Sequence, residues 1–262
     1  MGEAANTPEV VTVSPPAPEW AKRLLGLYRL WDRANASGAW AADLVRRLAG
    51  PPGVSRPAGS HDRFYVSPHG PQAAAALDVS RSESWPGLGI VHRVFTHPTM
   101  RRKGLARTLI SAAKRDFKSS RGRLLTVAAP STGVAKDFYV SQGFSEIVRA
   151  ADGETLYGWA ARGRHVREAL LKFLKQDPLK WRPATPADWA ALVAWSSLPG
   201  GRPGHVPPTL LDIEWIEAFE LLATPEANLA LEIAESRHGY VVDARASGDV
   251  PEWLAKVVAK SE

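Results

Sequence analysis

Arg101-Arg102-Lys103-Gly104-Leu105-Ala106 is the stretch that decides the fold, because it places three cations and a glycine between two different hydrophobic patterns. The strand pattern Gly89–Thr96 precedes it and stops at Pro98. A helix pattern follows, with apolar residues at helical spacing: Leu105, Leu109, Ala112, Ala113 and Phe117. The first backbone N–H groups of a helix lack intrahelical partners and carry partial positive charge. The stretch therefore predicts a phosphate-binding helix start, and the alternative is a basic helix start that is simply solvated.

The small residues in this stretch separate it from two common nucleotide-binding motifs. Gly104 and Ala106 leave room for a phosphate to approach the backbone closely. A dinucleotide-binding fingerprint needs three glycines, and only Gly104 is present. The phosphate loop of nucleotide hydrolases ends in Gly-Lys followed by Ser or Thr, whereas Lys103 precedes Gly104 here. Both of those classes are therefore excluded.

A second motif, Phe138-Tyr139-Val140-Ser141-Gln142-Gly143-Phe144, closes the next helix pattern, Gly133–Gln142. Glycine after the last helical residue is the commonest way for a helix to end. Taken alone, the motif is typical of ordinary core aromatic residues beside a helix end.

The first 160 residues alternate between strand and helix patterns, which predicts an α/β fold with helices packed on a mixed sheet. The predicted strands are Glu9–Val13, Arg63–Ser67, Ala73–Ser80, Gly89–Thr96, Leu124–Ala128, Phe144–Arg149 and Glu154–Ala160. The predicted helices start at Pro18, Ser37, Leu105 and Gly133, the second ending at Ala49. Asp152-Gly153 predicts a tight hairpin between the last two strands.

This element order, together with Thr96-His97-Pro98, Arg101-x-x-Gly104-x-Ala106 and Phe138-Tyr139-x-x-x-Gly143-Phe144, resembles the GNAT family of N-acetyltransferases. The resemblance covers about residues 9–160. It implies a GNAT-like mixed, twisted sheet flanked by helices, and an acyltransferase that moves an acetyl group from acetyl-CoA to an amine. Acetyl-CoA would be a co-substrate, and no metal would be involved.

The resemblance also implies the roles of particular residues. The loop at the helix start would bind the cofactor pyrophosphate, and the preceding strand would pair with the pantetheine arm. Tyr139 falls where many family members place the tyrosine that protonates the departing thiolate. Thr132 stands where the family often has asparagine in contact with the cofactor arm. The implied cofactor-binding residues are Val94, Phe95, Thr96, Arg101, Arg102, Lys103, Gly104, Leu105, Ala106 and Thr132.

The sequence does not identify the residue that acts as the general base. Ile90 occupies the strand position that holds a glutamate base in the histone-modifying branch of the family. His92 lies two residues further on the same strand face, and its imidazole could take a proton from an ammonium near neutral pH, directly or through water. The alternative is a histidine that is merely packed or exposed. Further carboxylate candidates are Asp43, Asp78 and Glu83.

Composition excludes several classes of function. The chain has no cysteine, so it has no disulfide scaffold, thiolate metal site or cysteine nucleophile, and transfer is expected to be direct. The histidines show no metal-ligand spacing, and we predict no metal. No apolar run is long enough for a membrane span, and residues 1–18 show no secretory leader pattern. We therefore expect a cytoplasmic protein that does not bind membranes.

The charge is divided unevenly along the chain. Ten Lys or Arg residues and a single acid, Asp116, lie between Arg93 and Arg123, whereas five bases and twelve acids follow Pro183. The net charge of the chain is +6, and its positive charge is concentrated in one segment, as expected if that segment binds an anion.

The sequence divides into a GNAT-like acetyl-CoA-binding domain in residues 1–161 and an extension in residues 162–262. The extension is predicted to be a helical cap, an oligomerisation segment or a degenerate GNAT-like half. Trp181 to Asp188 resembles the opening strand and helix of a GNAT domain, and residues 165–176 carry a helix pattern. Leu229 to Ala244 fits either a helix followed by a strand or two strands.

The expected partner is a small-molecule or protein amine. The sequence is also compatible with a homodimer. Two other functions remain as alternatives. One is a nucleic-acid-associated protein on a GNAT scaffold, since bases between Arg162 and Arg182 are interleaved with Phe173 and Trp181. The other is a non-catalytic interaction module that binds CoA.

Overall fold

The structure, a computed structural model, describes residues 8–35, 44, 48–49, 60–82, 87–149, 154–163, 165–166, 168–169, 178–183, 231–236 and 241–246. Its strands are β1 (Val11–Val13), β2 (Ser60–His69), β3 (Gln72–Ser82), β4 (Leu88–Thr96), β5 (Leu124–Pro130), β6 (Ser145–Arg149), β7 (Glu154–Ala160), β8 (Pro178–Pro183), β9 (Leu231–Ser236) and β10 (Val241–Ala246). Its helices are α1 (Pro18–Asn35), α2 (Leu105–Ser119) and α3 (Val134–Ser141), with a 3-10 turn at Pro98–Met100.

Seven strands form one sheet in the order β1-β2-β3-β4-β5-β7-β6. The sheet is mixed, because β4 and β5 pair in parallel whereas β1 pairs β2, and β7 pairs both β5 and β6, in antiparallel fashion. The predicted α/β class with helices on a mixed sheet is confirmed. Every predicted strand up to Ala160 is present. Four of the seven, β2 to β5, extend beyond the predicted bounds, whereas β1 and β6 are shorter than predicted and β7 has the predicted bounds.

Two predicted features fall largely outside the described residues. Only Leu44, Leu48 and Ala49 of the predicted second helix are described, and all three are helical. The Asp152-Gly153 hairpin turn is not among the described residues.

The chain forms two compact units. The first comprises Met1–Ser55, Asp62–Val79 and Val91–Asp116, and the second comprises Arg56–His61, Ser80–Ile90 and Phe117–Glu262. The division between them falls within β2, β3, β4 and α2. The division of the chain near residue 161 stays a prediction.

In the first unit, α1 packs its apolar face into a buried core. Ala21, Leu24 and Tyr28 recur at helical spacing, and each is nearly inaccessible to solvent. They pack in one cluster with strand residues that include Phe64 of β2 and Ala76 of β3. This packing places the hydroxyl of Tyr28 beneath β4, where it donates a hydrogen bond of 2.9 Å to the carbonyl oxygen of Arg93.

In the second unit, the start of β4 pairs with β5 over three residues, Leu88–Ile90 with Leu124–Thr126. The buried ring of Phe117, near the end of α2, lies against this pairing and leaves no space for a side chain at Gly89. Antiparallel pairing between β5 and β7 is longer and runs from Leu124 to Pro130. The parallel contact is thus short, although β4 continues to Thr96.

Residues beyond Ala161 show a different pattern. The strands β8, β9 and β10 form a separate antiparallel sheet in the order β10-β9-β8. Of the two alternatives for residues 229–244, the structure therefore has two strands. Only Val166, Glu168 and Ala169 of the predicted helix over 165–176 are described as helical. The helix predicted after Thr185 falls outside the described residues.

Among the described helices, none is both long and apolar enough to cross a membrane. The same part of the chain contains no cluster of three or more side chains suited to hold a metal ion.

Gly89→Ala is expected to lower the free energy of unfolding by about 1–3 kcal/mol, because overpacking strains a filled core. The added Cβ would lie 2.6 Å from Cε2 of Phe117 and 2.9 Å from Cδ2 of Leu125. Urea denaturation measures the change.

The matched control is Gly26→Ala on the exposed face of α1, where a Cβ meets nothing within 4 Å. Alanine is a better helix former than glycine, so this variant should gain about 1 kcal/mol. A Gly89→Ala protein as stable as the wild type would contradict the described packing.

Candidate functional site

The connection between β4 and α2 presents three cations to solvent. His97 follows β4, and its Nδ1 accepts a hydrogen bond from the backbone N–H of Thr99. Arg101, Arg102 and Lys103 are exposed. Arg101 is anchored at the end of β4, since its Nε donates to the Thr96 carbonyl at 3.4 Å. The connection thus holds positive charge beside the end of the strand.

Gly104 sits where this connection becomes a helix. Its carbonyl accepts the first helical hydrogen bond, from the backbone N–H of Thr108 at 3.0 Å. The N–H groups of Leu105, Ala106 and Arg107 therefore precede the first intrahelical donor and are available to a ligand.

The backbone geometry at Gly104 explains why glycine stands there. Its φ of 78° lies in the left-handed region, which other residues reach at a cost. A Cβ at this position would meet no atom of the described residues within 4 Å, so none of them blocks an approach to Gly104. Arg102 is also left-handed, with φ of 65°. A left-handed residue beside a right-handed one aims neighbouring backbone N–H groups into a concave anion site.

The exposure of β4 changes along its length. Leu88 to Arg93 are buried, whereas Val94, Phe95 and Thr96 are half-buried. The predicted pantetheine-binding residues therefore belong to the accessible end of the strand. Phe95 also lies beneath the guanidinium of Arg101, whose Cζ is 5.9 Å from the ring centroid. The structure thus brings the strand end and the basic loop together within the first unit.

His92 is buried in β4, with 7% of its surface exposed. Ile90, which replaces the glutamate of the histone-modifying branch, is buried as well. The assignment of His92 as a base stays a prediction.

Asp78 of β3, one of the three alternative carboxylates, is engaged in a buried ion pair and is therefore not available as a base. Its two oxygens accept hydrogen bonds from Nε and Nη2 of Arg93, each at 2.8 Å. The side chains of Asp78 and Arg93 are 0% and 2% exposed. The two other carboxylate candidates, Asp43 and Glu83, are outside the described residues.

The sequence reasoning missed this pair and its partner Tyr28. The sequence contains only a weak signal for this pair. Asp78 and Arg93 lie in neighbouring strand patterns, each at a position where a buried strand would normally have an apolar residue.

Tyr139 belongs to the second unit and is buried near the end of α3. Its ring contacts three aromatic neighbours, with centroid distances of 5.2 Å to Phe138, 5.7 Å to Phe144 and 6.3 Å to Tyr157. Burial raises the pKa of Tyr139 well above its ordinary value of 10.0, so its hydroxyl stays protonated at neutral pH.

The ends of α3 are shaped by glycines. Thr132 is exposed before Gly133, which has φ of 81° and precedes the first helical residue. Gly143 has φ of 77°, and the N–H of Phe144 returns to the carbonyl of Tyr139 at 3.0 Å. The predicted helix end at Gly143 is confirmed.

A basic, glycine-containing loop at a helix start of a mixed sheet is typical of domains that hold a phosphate-bearing ligand. Residues 58–154 match the family model described as an acetyltransferase (GNAT) domain. This part of the chain therefore matches the GNAT acetyltransferases, a family of enzymes.

The matches to solved structures span about three fifths of this chain and nearly the full length of the other chains. A protein of Desulfovibrio desulfuricans assigned to the GNAT family is 18% identical, with a TM-score of 0.47, covering 58% of this chain and 99% of that one. An aminoglycoside 6'-N-acetyltransferase from Enterococcus faecium is 12% identical, with a TM-score of 0.45 and coverage of 60% and 99%. An acyl-CoA N-acyltransferase from Pseudomonas aeruginosa is 12% identical, with a TM-score of 0.46 and coverage of 58% and 100%.

Similarities at this level carry no information about substrate. No protein of curated function shows significant sequence similarity to the chain.

The burial of Tyr139 predicts how stability changes at alkaline pH. The pKa of Tyr139 is higher in the folded protein than in the unfolded chain. The stability that this group contributes is therefore fully present below pH 10 and is lost as the pH rises toward the pKa of the folded state. Tyr139→Phe removes this dependence. Relative to the variant, wild-type stability should fall above pH 10 by up to about 1.4 kcal/mol per pH unit. Urea denaturation between pH 7 and pH 11 tests this, and parallel stability curves would show that Tyr139 is accessible to water.

Proposed function

We propose that this protein transfers an acetyl group from acetyl-CoA directly to an amine. The observation that carries the proposal is the helix start at Gly104, where exposed cations and a left-handed glycine lie within a GNAT domain. An anion can approach the backbone there because, in the part of the chain that the structure describes, no atom lies within 4 Å of a Cβ placed at Gly104.

Acetyl-CoA would be held along the segment from Val94 to Ala106. Arg101, Arg102, Lys103 and the N–H groups after Gly104 would bind the pyrophosphate by charge-assisted hydrogen bonds. The accessible end of β4, from Val94 to Thr96, would pair with the amides of the pantetheine arm. The exposed Thr132 would be a further contact to that arm.

The transfer requires a neutral amine. His92 would accept the proton of the acceptor ammonium through water, since its side chain is largely buried in β4. The amine nitrogen then forms a bond to the thioester carbonyl carbon, and a backbone N–H of β4 stabilises the resulting oxyanion. Because the chain has no cysteine, no acyl-cysteine intermediate precedes this attack.

Collapse of the tetrahedral intermediate breaks the carbon–sulfur bond and releases the CoA thiolate. Tyr139 would donate its phenolic hydrogen to this sulfur, and the proton that the acylated nitrogen loses as the neutral amide forms would return to the Tyr139 oxygen. Its raised pKa keeps the hydroxyl protonated at neutral pH, so that it enters the step as a donor. In a site without bulk water, a donor placed at the developing charge has its largest effect.

Gly104→Glu is expected to abolish acetyl-CoA binding while the protein stays folded, because a side chain and a negative charge then occupy the phosphate position. Titration calorimetry measures the affinity, and thermal unfolding checks the fold.

Gly70→Glu is the matched control for this substitution. Gly70 is also exposed and left-handed, with φ of 56° and nothing within 4 Å of its Cβ position, but it lies in the turn between β2 and β3. This variant carries similar backbone strain and the same charge, and it should bind acetyl-CoA normally. Equal affinity of both variants for acetyl-CoA would remove the pyrophosphate assignment.

Tyr139→Phe should lower the turnover number by roughly 10²–10⁴-fold, the usual contribution of a positioned acid, with little change in acetyl-CoA affinity. A screen of amine acceptors, with detection of the released thiol, supplies the assay. The control is Tyr65→Phe, which removes another buried hydroxyl, one that donates to Asp116 at 2.6 Å. Wild-type turnover by Tyr139→Phe at pH 6.5, where the thiolate leaves least readily, would show that Tyr139 is only a core residue.

A further inference from the structure

Arg93 combines three features that are individually unfavourable in the middle of a strand. Its φ of 50° lies in the left-handed region, although arginine has a Cβ and its neighbours in β4 are extended. Its guanidinium is buried. It is also the last buried residue of β4, since exposure begins at Val94. Strained residues of this kind persist only where their surroundings hold them in place, and they concentrate at functional sites.

Two neighbours hold Arg93, one through the side chain and one through the backbone. Asp78 binds both Nε and Nη2 of the guanidinium, which fixes its orientation as well as its position. Tyr28 donates its hydroxyl to the Arg93 carbonyl at 2.9 Å. Burial, with a smaller contribution from Asp78, raises the pKa of Tyr28 well above its ordinary value, so this hydroxyl remains a donor.

The contact with Tyr28 determines where the next peptide N–H points. A trans peptide is planar, and its C=O and N–H groups point in opposite directions. Because the Arg93 carbonyl is directed at Tyr28 of α1, the N–H of Val94 is directed away from Tyr28. Val94 is where β4 becomes accessible.

We propose that Asp78, Arg93 and Tyr28 are positioning residues, which hold the β4 backbone so that the Val94 N–H donates to the thioester carbonyl oxygen. The inference rests on the proposed function, because it requires acetyl-CoA to lie along the end of β4. None of the three side chains touches the substrate. Their effect passes through the main chain of Arg93 and Val94.

A purely structural role for the ion pair makes a different prediction. If the role were purely structural, loss of the ion pair would lower the stability of the protein and would weaken the binding of all cofactor analogues alike. A positioning role is selective for ligands that have a carbonyl next to sulfur. S-ethyl-CoA, a thioether, shares every other group of acetyl-CoA and lacks that carbonyl oxygen.

The experiment compares the affinities of acetyl-CoA and S-ethyl-CoA by titration calorimetry. The wild type should bind acetyl-CoA about five- to tenfold more tightly, which corresponds to one hydrogen bond. The double variant Asp78→Leu/Arg93→Met removes the pair without leaving a buried charge unmatched. It should bind both ligands with nearly equal affinity. Tyr28→Phe should reduce the preference in the same direction and decides the question if the double variant does not fold.

Tyr65→Phe is the control, because its buried hydroxyl bonds to Asp116 of α2 rather than to β4. It should keep the wild-type preference. A preference unchanged in both Tyr28→Phe and a folded double variant would overturn the inference, as would a wild type that binds the two ligands equally. Binding of neither ligand by the wild type would instead overturn the proposed function, and the inference with it.

Discussion

The buried pair of Asp78 and Arg93 is the constraint on which the geometry of β4 depends. Removing two charges from water costs several kcal/mol per ion, and good geometry with further hydrogen bonds is needed to offset that cost. The bidentate contact provides this geometry. Two apolar residues could fill the same space without the desolvation cost. The bidentate contact fixes the orientation of the Arg93 side chain, which fits the positioning role proposed for the pair.

The same segment of chain carries the proposed anion site. Left-handed residues occur at Arg93, Arg102 and Gly104, and each redirects the backbone N–H groups around it. The first lies where the strand becomes accessible, and the other two precede α2. A cofactor with a thioester at one end and a pyrophosphate further along would meet both sets of N–H groups. In the proposed function, one continuous segment would thus provide backbone contacts at two points, in addition to the charge of its arginine and lysine side chains.

The sequence predicted those parts of the fold and site that depend on local patterns. Hydrophobic periodicity located α1, α2 and every strand up to Ala160. The anion-binding loop was predicted from its charge and its small residues, Arg101 to Ala106. This was possible because every helix start has free backbone N–H groups, whatever its sequence.

Features that depend on tertiary contacts were not predictable in this way. Asp78 looked like a candidate base because a carboxylate in a strand pattern gives no sign of its partner on the next strand. The left-handed conformation of Arg93 has no sequence signal either, since glycine and asparagine are the residues that normally indicate it. Both depend on contacts between different elements of the fold, which the sequence pattern of a single element does not show.

Strand topology in the C-terminal region bears on how the chain is organised. The order β8-β9-β10 repeats that of β1-β2-β3, and both sheets begin with an antiparallel pair. Residues 14–59 separate β1 from β2, and residues 184–230 separate β8 from β9, nearly the same number. The motif Arg-x-x-Gly-x-Ala does not recur in residues 162–262. Since backbone N–H groups and cations at that motif are what attract a pyrophosphate, the repeated strand order alone does not create a second cofactor site.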